Sequence, residues 1–467
     1  MVHGARLGVV FLGLALVLTF QVAGAAELPV LTLPQLTAMA LEYSPEVKAT
    51  QSQVTVAKEQ KAEVQGYYYP QFDALVNSGL APNARLPQVR GNSIVYPDPK
   101  NRIHGFNIFG RLDFKLIQPL YTFGKIAYRE EAADKNVKVK KAEVDSKRGE
   151  VILNVSQAYY GLVLAEQGKG AVKEARTYLA DTRGRINRLL QIKSTSVAEA
   201  DLYRLAAYEG ALEKFAAEAE EGAKVAYHAL KALIGYKPDQ EFTVSSELPE
   251  PKAAPAGLDY YIRTSLEMRP EFTMLKEGLV ARELLVKAAK ADLYPDFFLA
   301  VVGAISGAPG RRTLQDPYVQ DYFNEHWVGP VLGMKWHWDF GITKAKIRQA
   351  QAELQGLQHL NRVALMGIPV EVSKEFGKLQ ETFKATVGLE KAYVNARRWL
   401  ITAFSNFDMG IGKMEDIFQA FERYGAFRGD YLMSLYQYNM SVVRLDKATG
   451  AYRRTMPRET PKTSQAQ

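Results

Sequence analysis

Four segments of the chain alternate apolar with polar residues, as β-strands do when their two faces meet different surroundings. Between Phe106 and Leu116 the even positions are apolar, while the odd positions include Arg111, Asp113 and Lys115. The third segment is the weakest, because both of its faces are apolar. The four predicted strands cover about residues 70–82, 105–121, 295–306 and 326–340.

The surroundings of these strands have two readings. A half-buried sheet in a soluble sandwich would alternate too. Three features favour an outer-membrane sheet: the strands are long, the outward residues are large, and aromatic residues gather at one end. The aromatic girdle predicted from this pattern includes Tyr69, Tyr121, Tyr294, Trp336 and Trp338.

The chain consists of two copies of one plan. Residues 40–46 read against residues 265–271 at an offset of 225, and Tyr-Pro-Gln-Phe at 69–72 meets Tyr-Pro-Asp-Phe at 294–297 at the same offset. A Phe-Gly pair then precedes a long helical region in both copies, at 123–124 and 340–341. Two matches in one register make chance an improbable explanation, so we predict a duplicated fold.

Each copy is predicted to contain two short helices, two strands and a long helical hairpin. The short helices meet at a proline, which ends one helix and is tolerated in the first turn of the next. The long helices need coiled-coil-like partners. The hairpins are expected at about 125–233, reversing near 194–196, and at about 343–449, reversing near 410–412.

The chain divides into five parts. Residues 1–25 predict a secretory signal peptide, with an apolar run from 7 to 20 followed by small residues. An uncleaved membrane helix is the alternative, but that run is short for a span of about 20 residues. The first copy is assigned to 26–235, a proline-rich linker to 236–257, the second copy to 258–450 and a C-terminal tail to 451–467.

The amino-acid composition argues against several classes of function, including cysteine-dependent and metal-dependent chemistry and nucleic-acid binding. The absence of cysteine excludes disulfides, thiolate metal sites and cysteine nucleophiles, and no two of the six histidines stand at a metal-ligand spacing. A net charge of +8 spread over 467 residues, without a basic tract, indicates no nucleic-acid partner. We therefore expect neither an enzyme nor a cofactor or metal.

Four strands cannot close a barrel alone, since about eight is the smallest closed size and an open edge is not tolerated in lipid. Two copies would give eight strands and a lumen filled by side chains. Three copies give twelve strands and a wider lumen, which suits the charged face better. A cyclic homotrimer is therefore the simplest closure.

These motifs resemble those of the TolC-like outer membrane efflux protein family. The matches are the duplicated Leu-Glu-x-x-Pro-Glu and Tyr-Pro-x-Phe starts, Gln-Pro-Leu-Tyr at 118–121, and the ending from Tyr-Gln-Tyr-Asn at 436–439 to Ala-Thr-Gly at 448–450. The resemblance runs from about 31 to 450. It implies a homotrimer with a twelve-stranded β-barrel in the lipid of a Gram-negative outer membrane, standing on a long α-helical barrel in the periplasm.

The resemblance also implies a function and a narrow periplasmic entrance at the helix reversals. In the family, an aspartate follows a glycine there by six residues, and a second aspartate comes three residues later. Asp416 matches the first aspartate, Gln419 stands at the second, and Asp201 is the equivalent in copy one. We expect Asp201 and Asp416 of three chains to form a cation-attracting ring. The alternative for each is a helix-start charge favoured by the dipole.

Other entrance positions depart from the family pattern. Phe407 stands at a tyrosine position and Gly412 at an arginine position, while Thr195 replaces the glycine that copy two keeps as Gly410. The ionic and hydrogen-bonded gate of the family therefore cannot be carried over. We expect a looser closure that depends mainly on packing.

The function expected is a passive exit duct of a tripartite efflux pump or type I secretion system, opened by a periplasmic adaptor and an inner-membrane transporter. One alternative is an exported periplasmic coiled-coil structural or adaptor protein without a barrel, which leaves the strand alternation and the aromatic girdle unexplained. Another is an exported enzyme, which the absence of a catalytic constellation disfavours.

Overall fold

The computed structural model describes residues 28–83, 88–90, 93–95, 105–237, 239–245, 247–314, 320–454 and 456. The predicted signal peptide, parts of the segment between the first two long strands and most of the predicted tail lie outside these residues. Within the described ranges, no helix has the length and apolarity needed to cross a membrane.

Helices make up most of the described chain, and their ends follow the expected proline and glycine signals closely. The helices are α1 Leu33–Tyr43, α2 Pro45–Gly66, α3 Lys125–Gln191, α4 Glu199–Ile234, α5 Leu258–Met268, α6 Pro270–Ala291, α7 Ile342–Asp408 and α8 Met414–Thr449. The strands are β1 Val30–Leu31, β2 Gln71–Pro82, β3 Gln88–Arg90, β4 Ser93–Val95, β5 Phe106–Tyr121, β6 Thr243–Val244, β7 Asp296–Gly307 and β8 His326–Lys335. A 3-10 turn, Ala451–Arg454, follows α8.

The main sheet has the order β2-β5-β7-β8, and all of its neighbouring strands are antiparallel. Its register resolves the ambiguous third strand. Val76 lies opposite Leu112, and Leu112 lies opposite Ile305. The even positions of β2, β5 and β8 and the odd positions of β7 therefore share one apolar face, while Ala300 and Ala304 lie on the other face.

The fourth strand is shorter than predicted. It ends at Lys335 rather than near 340. The reason is its position at the edge of the sheet: its one partner in the sheet, β7, begins at Asp296, and Asp296 already lies opposite Lys335. Alternation alone predicts extended backbone, but a strand also needs a partner for its ladder of hydrogen bonds.

The helices nearest the sheet form a layer in the order α2-α3-α6-α7. Ion pairs join each neighbouring pair: Lys61 with Asp134 at 2.8 Å, Lys135 with Glu277 at 3.3 Å, and Arg282 with Glu353. Farther from the sheet the order becomes α4-α3-α8-α7. One chain thus presents α7 at one edge of the layer and α2, followed by α4, at the other.

The two halves of the chain close their helical hairpins with equivalent glycines. Gly235 ends α4 at φ +71° and Gly450 ends α8 at φ +75°. A Cβ atom at Gly235 would lie 2.3 Å from the ring of Tyr43, the last residue of α1, and one at Gly450 would lie 2.8 Å from the carbonyl group of Met268, the last residue of α5. Both positions therefore need glycine for its left-handed backbone and for the close approach.

Candidate functional site

The reversal between α7 and α8 is a tight turn built on two glycines. Gly410 adopts φ +77°, and the carbonyl oxygen of Asn406 accepts hydrogen bonds from the amides of Ile411 and Gly412, both at 3.0 Å. A Cβ atom at Gly412 would lie 2.9 Å from the amide nitrogen of Phe407. The turn therefore has no room for a side chain where the resemblance implies an arginine.

The reversal between α3 and α4 is longer, with residues 192–198 between the helices against 409–413 in copy two. The left-handed conformation after the first helix falls on Lys193, at φ +54°. Thr195 lies exposed farther along the loop. Because two residues are inserted here, the structural counterpart of Gly410 is Lys193 rather than Thr195.

Asp201 and Asp416 occupy the same local position, the third residue of α4 and of α8. The Asp201 carboxylate accepts a hydrogen bond from the amide of Ala198 at 2.8 Å, and the Asp416 carboxylate accepts one from the amide of Lys413 at 3.1 Å. Each thus satisfies a backbone donor at the start of its helix, close to the positive end of the helix dipole. Asp416 is exposed and Asp201 is half-buried, but both carboxylates make the same kind of capping bond.

Phe407 and Gln419 have different surroundings. Phe407 is buried in a hydrophobic cluster near the reversals that also contains Leu400 and Phe418. Gln419 is exposed and donates a hydrogen bond from Nε2 to Oε1 of Glu415 at 3.0 Å. The predicted entrance residues therefore lie at one end of the molecule, but they divide into two helix caps, two turn glycines, one core aromatic, one surface amide and one exposed loop threonine, Thr195.

Two ion pairs that sequence reasoning missed connect the hairpins near the reversals. Arg185 of α3 pairs with Asp408 of α7, and Arg204 of α4 pairs with Glu415 of α8. The guanidinium of Arg204 also lies 5.0 Å from the ring centre of Phe418. Hydrogen bonding to Arg204 lowers the pKa of Glu415 below its ordinary value. We call these two pairs the hairpin lock.

The predicted girdle residues lie exposed where the sheet meets the helices. Tyr69 and Tyr294 stand just before β2 and β7, and Tyr121 ends β5. Trp336 and Trp338 follow β8, with ring centres 5.9 Å apart. The indole nitrogen of Trp336 donates a hydrogen bond to the carbonyl oxygen of Leu293 at 3.1 Å.

Sequence reasoning missed two further aromatics in this belt, although the Phe-Gly repeat was a usable signal. Phe123 and Phe340 both have left-handed backbones, at φ +51° and +49°. The ring of Phe123 stacks on Tyr294 at 5.0 Å, while Phe340 is 95% exposed. The strained turn places an aromatic side chain at the start of each long helix.

The loop after β7 lies on the polar face of the sheet, at the end away from the helices. The buried side chain of Arg111 pairs with Asp113 at 2.7 Å and with Glu325 at 2.5 Å, and it donates a hydrogen bond to the carbonyl oxygen of Tyr322. Arg311 and Asp321 form a second buried pair at 2.6 Å. The Arg111 contacts tie the arm 320–325 to β5, the Arg311–Asp321 pair joins the two described arms, and Arg311 also donates a hydrogen bond to the carbonyl oxygen of Pro82 at the end of β2.

Solved structures with a similar fold include outer-membrane channels. The outer-membrane channel OprN superposes with a TM-score of 0.73 at 17% identity, over 90% of this chain and 89% of that one. The CmeC outer membrane channel of Campylobacter jejuni gives 0.71 at 17% identity, over 90% and 85%. The outer membrane protein VceC of Vibrio cholerae gives 0.70 at 17% identity, over 90% and 96%.

Sequence comparison adds nothing to this result, since no protein-family model and no curated protein matches the chain. At such low identity the likeness concerns the fold. The chain has the fold of outer-membrane channels, which confirms at that level its predicted resemblance to TolC-like outer membrane proteins.

Proposed function

We propose that this protein is a passive trimeric exit duct in the outer membrane of a Gram-negative cell. In this proposal three chains close a twelve-stranded barrel in the lipid and a helical barrel in the periplasm. A periplasmic adaptor and an inner-membrane transporter supply the opening and the energy, as in a tripartite efflux pump or a type I secretion system. The similar fold of OprN and CmeC, both described as outer-membrane channels, supports this assignment.

The observation that carries the proposal is the apolar face of the main sheet. All four strands expose large apolar side chains on this one face. Relative exposure reaches 75% for Val76 on β2, 69% for Ile108 on β5, 55% for Ile305 on β7 and 75% for Leu332 on β8. A water-soluble monomer does not leave so extensive an apolar surface uncovered, whereas lipid covers it without cost.

The opposite face supports a watery interior. It carries Asp73, Asp113, Lys115, Asp296 and Lys335. Charged side chains line the lumen of wide membrane barrels but cannot face hydrocarbon without a large penalty. The same sheet is therefore suited to lipid on one side and to water on the other.

The proposal extends to the far end of the helices. Six carboxylates, from Asp201 and Asp416 of three chains, would border the periplasmic entrance and favour cations in a narrow passage. The capping bonds occupy one oxygen of each carboxylate and keep the charge close to the reversal. The hairpin lock would hold the two hairpins of each chain together in the resting duct.

Native mass and conductance test the function together. The protein is extracted from separated membranes in detergent, the native mass of the intact oligomer is measured, and the oligomer is inserted into a planar bilayer. A trimer from the outer-membrane fraction that conducts ions supports the duct. A monomer released with the soluble periplasm would overturn it and favour an exported coiled-coil structural or adaptor protein instead.

A further inference from the structure

The four-helix layer beneath the sheet has two unpaired edges with opposite charge. On α2, residues Val56, Glu59 and Glu63 are exposed and fall on the face opposite Val54, which is buried next to α3. On α7, Arg348 is exposed on the face opposite Leu357, which contacts α6 near Gly278, while Ala345 and Gly356 are exposed together on the flank between these two faces. One edge is therefore acidic near the sheet, and the other is basic there.

These charges have no partner in their own chain. Among the described residues, none forms an ion pair or a hydrogen bond with Glu59, Glu63 or Arg348. Other charged side chains of the same layer are paired, including Lys61 of α2 and Glu353 of α7. The two edges also lie too far apart to meet within one chain, because three helix spacings of about 8–10 Å separate them.

The contacts across the layer show which residues stand at the same height. Gln65 of α2 contacts Glu130 of α3, Arg129 of α3 pairs with Asp292 just after α6, and Arg282 of α6 pairs with Glu353 of α7. Traced from helix to helix, these contacts give the height of each residue along the helix axes. The height of Arg348 differs from that of Glu63 by no more than about one helical turn, and the same holds for Gly356 and Val56.

We propose that the α7 edge of one chain docks on the α2 edge of a second copy, with Arg348 between Glu59 and Glu63 and with Val56 against Gly356. This seam rests on the proposed trimer and names the residues that form its helical joint. Two observations support a second copy as the occupant: the edges are complementary in charge at one height, and the sheet above ends in open strands, β2 and β8, on the same two sides. A cyclic assembly joins two such unlike edges.

The absence of native cysteine allows a direct test by disulfide formation. The pair Val56→Cys and Gly356→Cys is introduced into the full chain, since a Cβ atom at Gly356 meets nothing within 4 Å. The matched control pairs Val56→Cys with Ala345→Cys, on the same face of α7 but about 16 Å away along the helix. A disulfide requires Cα atoms within about 7 Å, so oxidation should link only the first pair into dimers and closed trimers.

Charge reversal tests the seam independently. In the Val56→Cys and Gly356→Cys background, Arg348→Glu alone, and Glu59→Arg with Glu63→Arg, should each slow disulfide formation roughly two- to fivefold. All three reversals together should restore the rate. If the rate of disulfide formation does not recover in the triple reversal, Arg348 binds another group, such as a lipid phosphate, and the proposed contact is overturned.

The proposed seam and the proposed duct function can be overturned by different results. A native trimer that conducts ions but forms no disulfide between Val56→Cys and Gly356→Cys would overturn the seam and leave the duct standing. Equal linking in the control pair, or a ladder that continues beyond three chains, would overturn the seam as well. A monomeric native mass would instead count against the duct itself.

Discussion

At the scale of a single residue, Asp416 combines a helix cap with a charge proposed to border the entrance. Asp416→Asn keeps an oxygen that can accept the bond from the Lys413 amide and removes the charge, whereas Asp416→Ala removes both. We expect both variants to lower cation preference, and only the alanine to destabilise the start of α8, by on the order of 1 kcal/mol. Reversal potentials in a salt gradient measure the first effect. An unchanged preference in Asp416→Asn would remove Asp416 from the ring.

A second prediction concerns the buried pair of Arg311 and Asp321, whose side chains are only 5% and 4% exposed. Arg311→Met should leave the Asp321 carboxylate buried without its cation, at a local cost of about 3–5 kcal/mol. The loop should then open, with faster amide exchange at Leu314 and Phe323, whose amides bond to Asp321. The neighbouring Arg312→Met is the control, since Arg312 is exposed. Equal amide exchange in both variants would show that the pair of Arg311 and Asp321 does not hold the loop closed.

Residue roles were predictable where a local pattern set them. The spacing of Asp201 and Asp416 after each reversal identified two equivalent positions, and the helix-start alternative for both agrees with their bonds. The sequence did not reveal that Lys193, rather than Thr195, is the structural counterpart of Gly410. The first loop is two residues longer, which shifts the left-handed position without changing the spacing from Thr195 to Asp201. The hairpin lock was also invisible, since 211 residues separate Arg204 from Glu415.

At the scale of the element, each strand junction of the main sheet contains one phenylalanine opposite one glycine. The pairs are Phe109 with Gly79, Phe114 with Gly303 and Phe298 with Gly333. A Cβ atom on these glycines would come within 3.0, 2.4 and 2.4 Å of the facing ring, respectively. The ring therefore covers the glycine, which fills the gap in side-chain packing across the strands.

This packing predicts unequal effects of two similar substitutions in β8. Gly333→Ala should displace the ring of Phe298 and destabilise the sheet by about 1–3 kcal/mol. Gly329→Ala should have little effect, because a Cβ atom there meets nothing within 4 Å. Denaturant unfolding in detergent, followed by tryptophan fluorescence, compares the two variants. Equal midpoints would show that the ring moves aside without cost.

Element boundaries were predictable wherever the chain itself ends an element. Proline separates α1 from α2 and α5 from α6, and glycine ends α4 and α8, so the sequence specifies these limits directly. The end of β8 was not predictable, because it depends on where β7 begins rather than on any residue after Lys335. Likewise, the faces of β7 emerge only from its register with β5 and β8.

At the scale of the whole molecule, the two copies meet in one layer, and the lock connects them at the end farthest from the sheet. The duplicated motifs predicted the repeated elements. They could not predict which helices become neighbours across the copies, where α3 of copy one packs against both α6 and α8 of copy two. In this order α4 and α8 lie on either side of α3, and the ion pair of Arg204 with Glu415 joins their first turns near the reversals.

The lock therefore predicts an acid response of the whole assembly. The pKa of Glu415 is held below its ordinary value of 4.5, so the pair contributes fully above that pH and its contribution is lost as the pH falls through the lower folded-state pKa. Arg204 stays protonated throughout, so only the carboxylate titrates. As the pH falls below 4.5 and through the lower folded-state pKa of Glu415, the two reversals should separate and the conductance should rise. Glu415→Gln should already be looser at neutral pH and lose most of this response, while Glu199→Gln, at the start of α4, should keep it. Spin labels at Ser196→Cys and Ile411→Cys of one chain, in the proposed trimer diluted with unlabelled chains, measure the separation directly. A distance that stays constant as the pH falls from 7 to about 3, together with unchanged conductance in Glu415→Gln, would show that the reversals are held by the packing around Phe418 and Leu400 rather than by the ion pair.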